Sequence, residues 1–281
     1  MKKVRYHKME NEIKCPYIIF KLSGSLYCID SRHVSTIVQQ PEYNTIPAAP
    51  ANVTGMFKYR DQVIQMLDLR ITFGLKSIFS EYNEFEQMID ARKQDHINWV
   101  VAFERYITDG GVFTLAKDSH QCALGKWYDR FSTDNQAVMS HLRKMEEPHE
   151  KLHHSAFEVE ECRQNLDGEE QKLQLSQILK LAKETYMPQI LALLDESKEI
   201  FRSALFKEMV LILDGTSWGI VVDEIVAVED LDIIADRKQD PLINRSSFIH
   251  NVMESNKREG LIFELNTINL LSKLEELETT Y

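Results

Sequence analysis

The order of apolar and polar positions changes period twice along the chain. From Tyr17 to about Leu75 the pattern suits short strands joined by turns. YIIFKL and SLYCI flank Ser23-Gly24, a hairpin signal. PEYNTIPAAP follows, where Pro41, Pro47 and Pro50 rule out a regular helix. GMFKY and QVIQML read as a second strand pair around Arg60-Asp61, and DLRITFGL reads as a short helical closing turn.

From about Ser80 to Leu205 the period becomes helical. Phe85, Met88, Ile89, Arg92, His96, Val100, Phe103 and Ile107 recur at three- and four-residue steps, and Asp109-Gly110-Gly111 ends that helix. Helical stretches are expected near 112–130, 134–146 and 148–166. A last long helix runs from about Glu170 to Leu205, bent at Pro188. Amphipathic helices with short breaks pack most simply as a bundle.

Strand periodicity returns at Phe206. MVLIL and WGIVVDEIVAV flank Asp214-Gly215-Thr216, GLIFEL follows, and TINLLSKLEEL reads as an amphipathic closing helix. The two strand segments share an order of strand, glycine turn and strand, and late on a strand that runs into a helix (MLDLRITF; FELNTINLL). This predicts an α+β protein of two related small barrels with a helical module inserted. The expected divisions are 15–78, 80–205 and 206–274.

Composition narrows the function. The chain has 281 residues, 43% of them hydrophobic and 27% charged, which suits a globular protein with a sizeable core. Its net charge of −11, with no strongly basic block, argues against nucleic acid or an anionic membrane as main partner. MKKVRYHKMENEIK lacks the apolar stretch of a signal peptide, and no run approaches the roughly 18–20 residues of a membrane span, so a cytoplasmic protein is expected. The strand segments hold no Gly-rich phosphate loop, nucleophile elbow or acid–base pair, so no catalytic residue is expected.

The candidate chemistry is a metal. Cys15, Cys28, Cys122 and Cys162 read as free thiols or metal ligands in a reducing compartment. Six of nine histidines fall between positions 96 and 154. His149 and His153 stand at i and i+4 on one helix face, just after Pro148, which suits a helix start. His96 lies on the apolar stripe of the first helix and so points into the bundle. Cys122 completes a His3Cys set for zinc from three segments. His154 is one residue round from His153, Cys162 is on the opposite side of its helix, and His141 precedes Pro148. His120 could substitute if the Cys122 segment is not helical. Each histidine alone reads as an ordinary surface or core residue; the four together point to zinc.

Residues 149–153 also read HEKLH, the H-E-x-x-H of zinc peptidases, with Glu150 as general base and Glu169 or Glu170 as a third ligand by spacing. That alternative fits less well. With His96 and Cys122 in the set no position remains for a water, and no strand pattern offers a substrate-binding edge.

The strand segments resemble the CheW family of chemosensory scaffolds, through IIFKLSGSLYCIDSRHVSTIV, IPAAPANVTGMFKYRDQVIQMLDLRITFGL, WGIVVDEIVAVEDL and GLIFELNTINLL. The sharpest parts are Ile46-Pro47, Pro50, Val53-x-Gly55, Arg60 and Asp68-Leu69-Arg70, with Gly219 and Val222-Asp223 later. The resemblance implies two SH3-like five-stranded β-barrels and a non-enzymatic adaptor between chemoreceptors and a CheA-type histidine kinase. Arg60 and Val34 match its receptor-contacting positions. Asp61 stands where the family usually has Gly, Thr36 where an acidic residue is common, and a late-strand Gly is replaced around Asn251.

The helical segment resembles the chemoreceptor zinc-binding (CZB) family, through His96, Trp99, Cys122-Ala-Leu-Gly-Lys-Trp-Tyr128 and Pro148-His149-x-x-x-His153. This implies a four-helix bundle with one Zn2+ on His96, Cys122, His149 and His153. It also implies a Cys122 bond that responds to zinc level or oxidants, Trp127 and Tyr128 packed against the site, and Gly125 allowing close helix approach. The whole is then an adaptor at the cytoplasmic tips of methyl-accepting chemoreceptors, with a zinc-responsive insert or, alternatively, a purely structural zinc.

Overall fold

A computed structural model describes residues 15–133, 135–236 and 241–280. The amino-terminal segment read above for a targeting signal lies outside them, as does most of its sequence context before Cys15. The described residues divide into two compact units, one within Met1–Ser77 and Lys207–Tyr281 and one within Ile78–Phe206.

In chain order the first strands are β1 (Tyr17–Leu22), β2 (Ser25–Asp30), β3 (Val34–Gln39), β4 (Val53–Tyr59) and β5 (Gln62–Asp68), followed by the short helix α1 (Leu69–Thr72). Ser23 and Gly24 both take positive φ (49° and 81°), the geometry of a two-residue hairpin turn whose twist matches the strands. Asp68 caps α1 by accepting from the Ile71 N–H at 3.1 Å. Gly55 in β4 is required by close approach: a Cβ there would collide with the Asn44 carbonyl, which pairs with the Met56 N–H at 2.8 Å.

The helical unit follows. It comprises α2 (Ile78–Asp109), α3 (Ala123–Tyr128), α4 (Gln136–Arg143), α5 (Glu146–Asn165), α6 (Gly168–Leu181) and α7 (Met187–Leu205). Its core gathers the apolar faces around Ile89, Phe103, Leu124, Leu142, Leu152, Ala156, Val159, Ile190 and Leu194. Two expectations need correction. Residues 112–118 are not helical; only a 3-10 turn at Ser119–Gln121 and the six residues of α3 are. The reason is that the Ala116 carbonyl, freed from any helix ladder, accepts two side-chain bonds described below. The final helix is interrupted by a π turn at Ala182–Tyr186, where the Met187 N–H reaches back to Ala182 O. Pro188 cannot donate to the ladder, and the wider turn accommodates it.

The second strand segment comprises β6 (Met209–Leu213), β7 (Trp218–Val222), β8 (Glu224–Glu229), β9 (Asp232–Asp236), the helix α8 (Pro241–Arg245), β10 (Ile249–Ser255), β11 (Arg258–Leu265) and α9 (Thr267–Thr280). The fold is α+β, with a six-stranded sheet β8-β1-β2-β11-β10-β9 and a five-stranded sheet β3-β6-β7-β5-β4. One barrel per segment was expected. Instead both sheets draw strands from both segments. β1 pairs antiparallel with β8 and β2 parallel with β11, while β3 pairs antiparallel with β6 and β5 parallel with β7. The six-stranded sheet also exceeds the five strands expected. Phe20, Leu22, Ile29, Leu67, Leu69, Leu211, Ile220 and Val222 share one core, so neither strand segment has a core of its own.

Candidate metal centre

The structure brings the four candidate donors together. One donor atom from each of His96, Cys122, His149 and His153 lies within 4.8 Å of every other. Three elements position them. His96 sits on the buried stripe of α2, with Ile89, Trp99, Val100 and Phe103. His149 and His153 occupy one face of α5, with Leu152 and Ala156 behind them. Cys122 is the N-cap of α3, where its Sγ accepts from the Gly125 N–H at 3.2 Å. His153 and His96 are 1% and 2% exposed.

Backbone carbonyls set two of the imidazoles. His96 Nδ1 lies 2.7 Å from Arg92 O, and His153 Nδ1 lies 2.8 Å from Ala116 O. A neutral ring can bond a carbonyl only by donating, so the proton is on Nδ1 and the Nε2 lone pair is free. Those two Nε2 atoms face each other at 3.4 Å, and His149 Nε2 stands 3.3 Å from Cys122 Sγ. Two lone pairs turned on one another across a buried gap fit a shared cation better than each other. Zn–N bonds of about 2.0–2.1 Å and a Zn–S bond of about 2.3 Å at tetrahedral angles give edges of roughly 3.3–3.7 Å.

Electrostatics point the same way. Burial, with neighbouring His153 and His96, lowers the pKa of His149 to about 2; burial lowers that of His153 to about 4, against the bond it donates to Ala116 O. Burial also pulls His96 down. The imidazoles are held neutral, the form that binds metal. Burial pushes the Cys122 thiol up, opposed by the N–H groups of Gly125 and Leu124. A buried thiolate without a cation is disfavoured, so a cation would have to draw it out.

The surroundings hold the donors by contacts that residue spacing does not reveal. Ala116 O also accepts from Trp99 Nε1 at 2.7 Å, so one carbonyl ties α2 and α5 together. The Trp99 ring stands edge-on to His153, with centroids 5.1 Å apart. Lys117 pairs with Glu160 and fastens this segment to α5. Trp99 carried a signal, three residues after His96 on the same stripe; a backbone carbonyl carries none. Trp127 packs on Phe85 and Phe131, and Tyr128, whose hydroxyl donates to Glu146, lines a cavity together with His149. Gly125 admits the Ser119–His120 backbone rather than a second helix: a Cβ there would collide with Ser119 O and lie 2.8 Å from His120 Cα. Glu150 is exposed, off the donor face.

The other candidates lie elsewhere. His120 is exposed and bonded through Nδ1 to Asp129 at 3.1 Å, which raises its pKa. His141 is buried with its Nε2 2.8 Å from Leu193 O. Cys162 Sγ lies on Gln171 O at 3.8 Å. In the strand unit, Arg60 is exposed in the β4–β5 turn, at φ 53° with its guanidinium 5.2 Å from the Tyr59 centroid. Among the described residues it makes no ion pair with Asp61. Val34 opens β3, half-buried against the core. β6 and β7 stand between β3 and the Arg60 hairpin in the sheet order, so the two positions are not neighbours along it.

Comparison with known proteins gives matches that meet inside α2 rather than at the boundary between the two units. Residues 96–159 match the family model of the chemoreceptor zinc-binding domain, a stretch that contains all four donors. Residues 16–96 match that of the CheW-like domain. The chemotaxis protein CheW of Treponema pallidum (strain Nichols) is 35% identical over 66 residues, 24% of this chain and 39% of that protein. The chemotaxis protein CheW of Helicobacter pylori (strain ATCC 700392 / 26695) is 30% identical over 88 residues, 31% of this chain and 52% of that protein. The match thus spans about half or less of either relative. The crystal structure of the scaffolding protein TtCheW from Thermoanaerobacter tengcongensis aligns over 90% of both chains at 11% identity, with a TM-score of 0.39. Residues 16–96 are a CheW-like domain and residues 96–159 a chemoreceptor zinc-binding domain.

Proposed function

We propose that this chain is a non-enzymatic chemosensory adaptor, cytoplasmic and working at chemosensory arrays. It would join the cytoplasmic tips of methyl-accepting chemoreceptors to a CheA-type histidine kinase, with Arg60 and Val34 on the receptor side. Among the described residues no helix is long and apolar enough to cross a membrane.

His96, Cys122, His149 and His153 would hold one zinc ion. The observation that carries this is the convergence of three neutral imidazoles and a sulfur within 4.8 Å. Bound there, the ion would add a tie among segments already joined by packing, by the bonds to Ala116 O and by the Lys117–Glu160 pair. Arg92 O and Ala116 O hold two rings in the binding tautomer, and Gly125 N–H holds the sulfur. Release of Cys122, by oxidation or zinc depletion, would free the Ser119–Tyr128 segment from α5. The output of the adaptor then depends on zinc.

The test is affinity for the kinase and for receptor fragments, measured with zinc and after chelation. A difference between the two states supports a responsive insert. Equal affinity leaves a zinc that only stabilises. Peptide hydrolysis abolished by Glu150→Gln would instead establish a peptidase. Metal analysis of the purified chain beside Cys122→Ala checks the site itself: about one zinc per chain is expected, and none overturns the reading.

A further inference from the structure

The four donors are not equally held. His96 and His153 are each fixed through Nδ1 to a backbone carbonyl, and Cys122 is fixed by the Gly125 N–H. His149 is different. Its Nε2 meets Cys122 Sγ, but its Nδ1 has no hydrogen-bond partner among the described residues. The residue as a whole is 7% exposed. A ligand ring without an outer partner is less basic and freer to turn.

His149 is also the only one of the four to line a cavity of about 350 Å³. Asp129, Glu146 and Glu150 line it as well, with no lysine or arginine, so its field attracts a divalent cation. His120 stands on the same wall, with its side chain 70% exposed and Nδ1 at 3.1 Å from both carboxylate oxygens of Asp129. A carboxylate behind Nδ1 leaves Nε2 as a lone-pair donor. That is the arrangement found behind metal-ligating histidines. Yet His120 is outside the set of four donors, so this preparation serves no ligand of the resting centre.

We propose that His149 is the exchange ligand of the centre, and that His120, backed by Asp129 on the wall of the acidic cavity, passes a divalent cation between solvent and His149. The inference rests on the metal reading above and specifies how that site loads and empties. His96, His153 and Cys122 hold while His149 turns away, and the cation leaves by the wall of that cavity, past His120 and Asp129.

The test uses the full chain, zinc and a chromogenic chelator. Competition gives Kd; rapid mixing gives the release and uptake rates. His120→Ala should slow release and uptake alike, by about tenfold each, with Kd changed by less than about twofold, because a relay alters the path and not its end points. Asp129→Asn keeps the shape and should slow both in the same direction. His154→Ala, exposed and one residue from His153, should leave both rates as they are. Unchanged rates in His120→Ala overturn the proposal. So does a Kd that weakens in step with faster release, the mark of an ordinary ligand or prop. Wild-type chain that takes up no zinc at all would overturn the metal reading, and is seen before any variant is compared.

Discussion

Arg70 and Asp223, 153 residues apart, form a two-pronged ion pair. Nε donates to Oδ1 and Nη2 to Oδ2, both at 2.6 Å. The Ser23 N–H adds a third bond to the carboxylate at 2.7 Å, and Arg70 Nη1 donates to Lys76 O at 3.2 Å. The arginine side chain is 5% exposed and the aspartate 15%. The pair joins the end of the first strand segment to the end of β7. Its charges are matched, so removing Asp223 takes from the buried guanidinium the carboxylate that holds two of its nitrogens. Asp223→Ala is expected to destabilise the strand unit by about 3–5 kcal/mol, read from the urea midpoint. Replacing both residues by apolar ones of similar volume should cost much less.

Gly125→Ala should disturb the metal centre without touching a donor. The added methyl meets the Ser119–His120 backbone, and that segment leads directly into Cys122. Overpacking of this kind costs about 1–3 kcal/mol. Zinc affinity measured by chelator competition should fall, while the strand unit melts as before.

Chelation should lower the thermal midpoint of the helical unit far more than that of the strand unit. Sites of this donor set contribute on the order of 10 kcal/mol at neutral pH. His153→Ala removes a proposed ligand and should weaken zinc by more than the roughly 10–100-fold expected from losing an outer partner, whereas Trp99→Phe, which removes only one bond to Ala116 O, should fall within that range. Calorimetry with and without chelator checks both.

Stability should also depend on Glu208. Burial, with Asp68 and Asp223 nearby, pushes its pKa from 4.5 up to about 7, against Arg70. Unfolded, the carboxyl loses its proton near pH 4.5; folded, it keeps it to about pH 7. The folded state binds more protons in that window, so stability falls as pH rises through it. Glu208→Gln should remove this dependence. The variant should match wild type at pH 4 and exceed it at pH 8, by on the order of 1 kcal/mol after allowing for solvent screening. Urea melts across pH check this.

Arg60→Ala is expected to weaken receptor binding at least about tenfold if that exposed arginine is an interface anchor, with no change in folding, since the side chain is exposed and its guanidinium lies over the Tyr59 ring. Co-sedimentation with receptor fragments measures it.

Local features were legible before the structure. The Ser23-Gly24 hairpin, the strands on either side of Arg60-Asp61 and the stripe of α2 depend on residues close in sequence, and their periodicities survive folding. The i,i+4 pairing of His149 and His153 is likewise a property of one helix. Sheet partners were not legible. Alternation says which side chains face inward but not which strand lies alongside, so the shared sheets read as one barrel per segment. Asp68-Leu69-Arg70 and Val222-Asp223 stood out as motifs, yet nothing in their spacing says that Arg70 bonds Asp223.

Residue identity supplied the donor types, three imidazoles and a thiol, and the 3.6-residue period placed the three imidazoles on helix faces. Their convergence, the orientation of His153 by Ala116 O, and the lack of a hydrogen-bond partner for His149 Nδ1 among the described residues came from the folded unit alone. Period is a property of the backbone and is carried by each residue with its neighbours. Convergence depends on how Phe103, Leu124, Leu152 and Ala156 pack between segments, and that packing exists only when the whole unit has formed.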